Sequence, residues 1–179
     1  MIVLEVLGTP APKGSSRAML IGGKARNVPS GSNVNRDRLK SWDASLRAAA
    51  RAAVGDVTAP PYVAMPLVMV IEFRVARPGS HWGTGKRTGQ IKPRAPLYPI
   101  TKPDSSKLVR ATEDALTGIV WDDDSRVGLH LVNRVYAAPG REGARIAIGL
   151  RKEFAITVNE LATVRETAIG VANAEALHA

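Results

Sequence analysis

The sequence predicts a mixed α/β domain of the α+β class, with one small sheet and two main helices. Three observations predict it. Alternating or continuous β-prone runs occur at residues 2–7 and 67–75, two stretches carry helical periodicity, and two strand-like runs joined by a turn follow the second of them. The order along the chain is β-α-β-loop-α-β-β. A chain of 179 residues, 45% hydrophobic and 23% charged, is long enough to bury one core and has an ordinary globular composition.

Ile2, Leu4 and Val6 alternate with Val3, Glu5 and Leu7, so the first strand should end at Gly8. TPAPKGSSR, with Lys13 and Arg17, reads as a loop, and residues 20–34 as irregular or as a small hairpin around Gly22-Gly23. From Asn35 the pattern turns helical, with Leu39, Trp42, Leu46, Ala49 and Ala53 on one face and Gly55 closing the helix. Lys40, Arg47 and Arg51 form a basic stripe, which is either a solvated face or a nucleic-acid contact. Leu67–Val75 is β-prone throughout and suits a central strand. Ala76–Pro103 is a Pro/Gly/basic segment too long for an idle connector.

Within that segment GTGKRT (Gly83–Thr88) departs from the phosphate-binding loop pattern. Ser80 occupies the first glycine position, Arg87 follows the lysine, and no strand immediately precedes it. Ser105–Leu116 reads as a helix with Leu108, Ala111, Ala115 and Leu116 facing inward. Val127–Ala137 and Ala144–Arg151 read as antiparallel strands joined by APGREG. Residues 1–152 then form the domain, and 153–179 a C-terminal extension, helical or disordered.

A formal net charge of +9 favours a polyanionic partner, most simply nucleic acid. Most basic residues lie between Lys13 and Arg110, so the positive field belongs to the body of the domain. The absence of cysteine excludes disulfides, thiolate zinc sites and cysteine nucleophiles, and His81, His130 and His178 lack ligand spacing. Oxygen-ligated Mg²⁺ or Mn²⁺ is therefore the default metal. No basic leader and no membrane-length apolar run occur, which reads as a soluble cytoplasmic protein with no membrane partner.

Against that basic background, Asp104 opens the second helix, and Asp122, Asp123 and Asp124 follow its end. Asp104 is either a helix cap or a metal ligand. The three adjacent acids are either a solvated turn or a cation site that relieves their repulsion. A chain returning across the sheet would set both acidic groups at one end of the domain. Carboxylates in a basic protein suit metal-assisted phosphodiester chemistry: the cations hold the polyanion and the acids hold the metal.

Lys102-Pro103-Asp104, Lys107-Leu108, Arg110, Asp114-Ala115-Leu116-Thr117, Trp121-Asp122-Asp123-Asp124-Ser125 and Val127 together resemble the signature of RusA-type Holliday-junction resolvases, common in phages and prophages. Pro12-Lys13-Gly14 with Arg17 is similar to that family's N-terminal loop. The resemblance covers most of residues 1–152. It implies a homodimeric Mg²⁺-dependent endonuclease that makes paired cuts in four-way, branched DNA. Carried over by position, Asp104 and Asp124, with Asp123 beside it, are the catalytic and metal-binding aspartates. Arg110 stands where the family often has a functional lysine, and Asp114 matches with a structural or capping role.

Ser106 departs from the pattern, standing where a second motif aspartate is expected; a hydroxyl binds a hard cation far more weakly than a carboxylate. The chain is then a resolvase whose shell is completed by Asp122 or water, a silent junction-binding protein, or a metal-dependent nuclease for other branched DNA. Lys13, Arg17, Lys86, Arg87, Lys102 and Lys107 are the candidate DNA contacts. Trp82 and Tyr98 either stack on exposed bases or pin the loop to the body, the second being preferred; Trp42 and Trp121 are assigned to the core.

Overall fold

The computed structural model describes residues 1–14, 16–29 and 33–154. A strand, β1 (Ile2–Leu7), leads through a loop to a hairpin, β2 (Ser16–Ile21) and β3 (Lys24–Pro29). Then come helix α1 (Asn33–Val54), β4 (Leu67–Val75), α2 (Ser105–Leu116), β5 (Val127–Tyr136) and β6 (Gly143–Leu150). The expected α+β class and element order are present, with the hairpin as a separate two-stranded sheet. Its turn places Gly22 and Gly23 at φ 60° and 75°, a tight reversal that other residues adopt only with strain. The 153–179 extension lies outside the described residues beyond Phe154, where a short 3₁₀ turn ends.

The main sheet runs β1-β6-β4-β5. β6 is antiparallel to both β1 and β4, and β5 is parallel to β4. This corrects one expectation: β5 and β6 run in opposite directions but are not hairpin partners, because β4 lies between them. Periodicity explains the insertion. β4 is apolar at nearly every position and is buried at Leu67, Val68, Met69, Ile71 and Phe73, so it occupies an interior place. β5 alternates and takes the edge, with Val127 as its one buried residue.

Three cross-strand rows line the face that the helices cover. Ile2, Ile148, Met69 and His130 form one row; Leu4, Ile146, Ile71 and Val132 form the next; Val6, Ala144, Phe73 and Arg134 form the third. Each row is apolar across three strands, and two of them become polar at the β5 edge. The first helix packs Trp42, Leu46 and Ala50 onto this face at i, i+4 spacing. Ala53, expected on the same face, is exposed, and Ala50 takes its place. α2 buries Leu108, Ala111, Ala115 and Leu116 as expected, together with Thr112, whose hydroxyl donates to the Leu108 carbonyl at 3.0 Å.

Among the described residues no helix is long and apolar enough to cross a membrane. The open face of the sheet carries a charged row, Glu5, Arg145 and Glu72, in register across β1, β6 and β4. Where β6 begins, Gly143 has φ 158°, and a Cβ built there would sit 2.0 Å from the Val6 carbonyl oxygen. A backbone oxygen fixed in a ladder cannot swing aside. Gly143→Ala should therefore cost more than ~1 kcal/mol and lower the thermal midpoint, whereas Gly140→Ala, with open space around it, should cost less. Thermal denaturation of the two variants checks this.

Candidate active site

Asp104 is held by a proline-rich strap, residues 99–103, that the edge strand grips. The guanidinium of Arg134, last in the third row, donates to the carbonyls of Thr101 at 2.9 Å and Pro99 at 3.0 Å, and also to that of Pro103. The Lys102–Pro103 peptide is cis. Asp104 then occupies the N-cap position of α2 with φ −69° and ψ 137°, but its carboxylate accepts no capping hydrogen bond. It lies 3.3 Å from the Lys107 ammonium, with about half of its side-chain surface exposed. Capping chemistry is thus available at this position and unused. The first N–H groups of α2 receive nothing from Asp104's side chain.

At the other end of α2, Trp121 is fully buried and its ring N–H donates to the Thr117 hydroxyl at 3.0 Å. This pins a tight turn from which Asp122–Asp124 emerge into solvent. The three acids divide their work. Asp122 takes a forked contact from Arg126, with Nε at 3.0 Å from Oδ1 and a terminal nitrogen at 2.7 Å from Oδ2. That guanidinium depresses its pKa from the ordinary 3.8 to about 2. Asp123 accepts from the Ser125 N–H at 2.9 Å, capping the 3₁₀ turn Asp124–Arg126; hydrogen bonding from Ser125 also holds its carboxyl below the usual range. Asp124 begins that turn and is exposed.

The two acidic groups do not meet within one chain. α2 is 12 residues long, roughly 18 Å at ~1.5 Å per residue. Asp104 precedes its first residue, and the acidic turn follows its last. β5 runs back alongside it in the opposite sense: His130 pairs with Glu113 at 2.8 Å, and Arg134 reaches the strap before Asp104. The expectation that the chain returns to its origin fails because the Thr117–Trp121 turn feeds directly into β5. Among the described residues, no three His, Cys, Asp or Glu side chains gather so as to hold a metal ion.

Arg110 is exposed on α2, between the two acidic ends. Lys107 is committed to Asp104, and Lys13 ties the N-terminal loop to α2 twice, through its ammonium on Asp114 and its N–H on the Lys107 carbonyl at 3.1 Å. Asp114 therefore has the structural role expected of it. From the basic stripe of α1, Arg47 turns inward, donating to Asp43 at 2.8 Å and to the Asp114 carbonyl at 3.2 Å. Arg17 belongs to β2. Lys86 and Arg87 lie exposed on a 3₁₀ turn, inside a small ribbon closed by Trp82–Ile91 and Gly83–Thr88 bridges. No α-helix starts at Gly85-Lys86, where a phosphate-binding loop would open one; the next helix is α2 at Ser105.

Lys102 is exposed, and Ser106 is exposed on the first turn of α2. Trp42 and Trp121 are core residues, and Trp82 is half-buried. Tyr98, expected to pin the loop, is 58% exposed. A cavity of about 180 Å³ lies beside the strap, lined in part by Pro10, Val75, Lys102, Pro103 and Tyr136. Sequence reasoning missed Arg134 and Arg126. Arg126 is four residues from Asp122, a spacing that could have flagged it; Arg134 reaches carbonyls more than thirty residues away and left no local signal.

An α+β sheet that presents carboxylates from both ends of one helix, on a strongly basic body, has the equipment of a nucleic-acid-processing hydrolase. A family model for endodeoxyribonuclease RusA matches residues 11–149, and the chain belongs to that family. No curated protein matches the chain.

Because Asp122 is depressed by its partner, the pair's contribution to stability is complete above pH ~4 and is lost as pH falls through about 2. A carboxyl-detected NMR titration should place the Asp122 midpoint near 2, and Arg126→Met should return it to the ordinary range. An Asp122 midpoint near 3.8 in the unaltered protein would remove this account of the acidic turn.

Proposed function

We propose that this protein resolves four-way DNA junctions as a homodimer, hydrolysing paired phosphodiester bonds with a divalent cation and leaving 5′-phosphates. Residues 1–152 act as the nuclease domain. The observation that carries the reading is the state of Asp104 within a RusA family member: a carboxylate at a helix N-terminus, gripped from behind through its strap and left uncapped.

The donor set fits Mg²⁺ or Mn²⁺ in kind, since Asp104, Asp123 and Asp124 offer only hard carboxylate oxygens. It does not fit within one chain, because α2 separates Asp104 from the other two. A second copy resolves the conflict: Asp104 of one chain and Asp123 with Asp124 of the other would hold the ion together. This arrangement also gives a reason for the dimer, since two such sites arise from one two-fold axis. When bound, the ion supplies Lewis acidity to the scissile phosphate and to an attacking water.

The chain's own groups do the remaining work. The first N–H groups of α2, around Ser105 and Ser106, face the site with their share of the helix dipole and can hold a phosphate oxygen. Arg110 contributes fixed positive charge and no proton, because guanidinium does not titrate in the working range. Lys102, Lys86 and Arg87 are exposed and available to flanking phosphates, whereas Lys13 and Lys107 first have to leave Asp114 and Asp104. The serine at 106 leaves the shell one carboxylate short, so water or Asp122 completes it.

Asp104→Asn and Asp124→Asn should each lower cleavage of a synthetic four-way junction by ~10²–10³-fold while leaving binding nearly intact. Mixing the two variants discriminates further. Roughly half of the dimers would be mixed, and a shared site restores one intact carboxylate set in each of those. Single-strand nicking should therefore return in the mixture. Continued inactivity of a mixture shown to contain mixed dimers would rule out sharing, and full activity of both single variants would rule out the site.

A further inference from the structure

From Pro96 to Pro103 the backbone is anchored, yet three large apolar side chains stay exposed. Pro99 is buried, while Leu97, Tyr98 and Ile100 expose 66%, 58% and 74% of their surface. Two arginines hold the backbone beneath them. Arg77 donates to the Pro96 carbonyl at 2.9 Å, and Arg134 takes those of Pro99, Thr101 and Pro103. Pro96, Pro99 and Pro103 each fix φ as well. Large apolar side chains on a slack loop can fold against the body; on a backbone held this firmly they cannot, and their exposure persists. Arg94 and Lys102 lie exposed on either side in sequence, and two residues beyond Lys102 stands Asp104.

We infer that Leu97, Tyr98 and Ile100 form a platform on which unstacked DNA bases pack at a branch point, beside the strand that Asp104 engages. The inference rests on the junction-cleaving reading and adds to it the element that recognises branching. In an unbroken duplex both faces of each base are covered by neighbours, so the platform has nothing to contact. At a branch point stacking is interrupted, and a base can lay its apolar face against the Tyr98 ring with Leu97 and Ile100 beside it. Arg94 and Lys102 meet the phosphates on either side, which is the charge complement that selects nucleic acid over an apolar protein partner. Arg77 and Arg134 touch no DNA; they are positioning residues that keep the platform raised and in fixed relation to Asp104.

The test uses the full chain without divalent cation, so that nothing is cut. A four-way junction carries 2-aminopurine at the central base pairs, and a linear duplex of matching sequence serves as control. The unaltered protein should change the 2-aminopurine fluorescence and bind the junction in preference to the duplex. Leu97→Ser/Tyr98→Ala/Ile100→Ser should abolish that change and reduce the preference by about tenfold or more, with duplex affinity within about twofold and an unchanged thermal midpoint. Tyr98→Phe should behave as the unaltered protein, since the ring and not the hydroxyl does the packing. Retention of both signal and preference in the triple variant would overturn the platform alone. A triple variant whose sedimentation shows a loss of dimer would overturn it in favour of a second copy as the occupant. If the unaltered protein neither prefers nor, with Mg²⁺, cuts junctions, the functional reading falls and takes the platform with it.

Discussion

One guanidinium group organises the business end of this molecule. Residues 96–103 contain three prolines, so the segment is rich in carbonyl acceptors and poor in N–H donors, and it cannot join a strand ladder. Arg134 supplies the missing donors from the edge of the main sheet, satisfying three carbonyls at once. Hydrogen bonds from a charged donor are worth about 1.5–3 kcal/mol each, enough to fix a segment without regular structure. Because Phe73 and Ala144 stand in the same row as Arg134, the grip is anchored in the core and not in a second loop. Asp104 inherits its placement from that chain of contacts.

The acidic turn is organised by division of labour. Three consecutive aspartates would repel one another if all were left bare, and the fold's own groups offset part of that repulsion. Arg126 neutralises Asp122, and a backbone N–H engages Asp123. What remains is directional: the acids nearest β5 project from a short rigid turn that Trp121 pins to the core. Basic residues show the same economy. Lys13 and Arg47 are committed to tying elements together, while Arg110, Lys102, Lys86 and Arg87 are left to act outward.

Much of this was legible in the sequence, because periodicity and turn chemistry are local. The bounds of β4 and α2, the hairpin at Gly22-Gly23, and the burial of Trp42 and Trp121 all follow from patterns within a few residues. Sheet order did not follow, since the pairing of β6 with β1 and β4 depends on which strand best tolerates burial on both edges. The identities of the candidate site residues were readable through the motif from Lys102 to Val127. Their separation was not, because it depends on the direction in which the chain leaves the Thr117–Trp121 turn. Tyr98 was misjudged for a related reason: an aromatic in a long loop normally folds down, and nothing local announced that distant arginines would hold this one up.

Carboxylates divided between the two ends of α2 give the proposed enzyme a threshold. On that proposal a solitary chain would carry half a reaction centre at each end and would be inert towards any DNA it meets. Competence would arrive only with pairing, so the onset of cutting would vary as the square of protein abundance when the chain is dilute. A nuclease made this way needs no separate inhibitor while it is scarce, and both incisions become available in the same event.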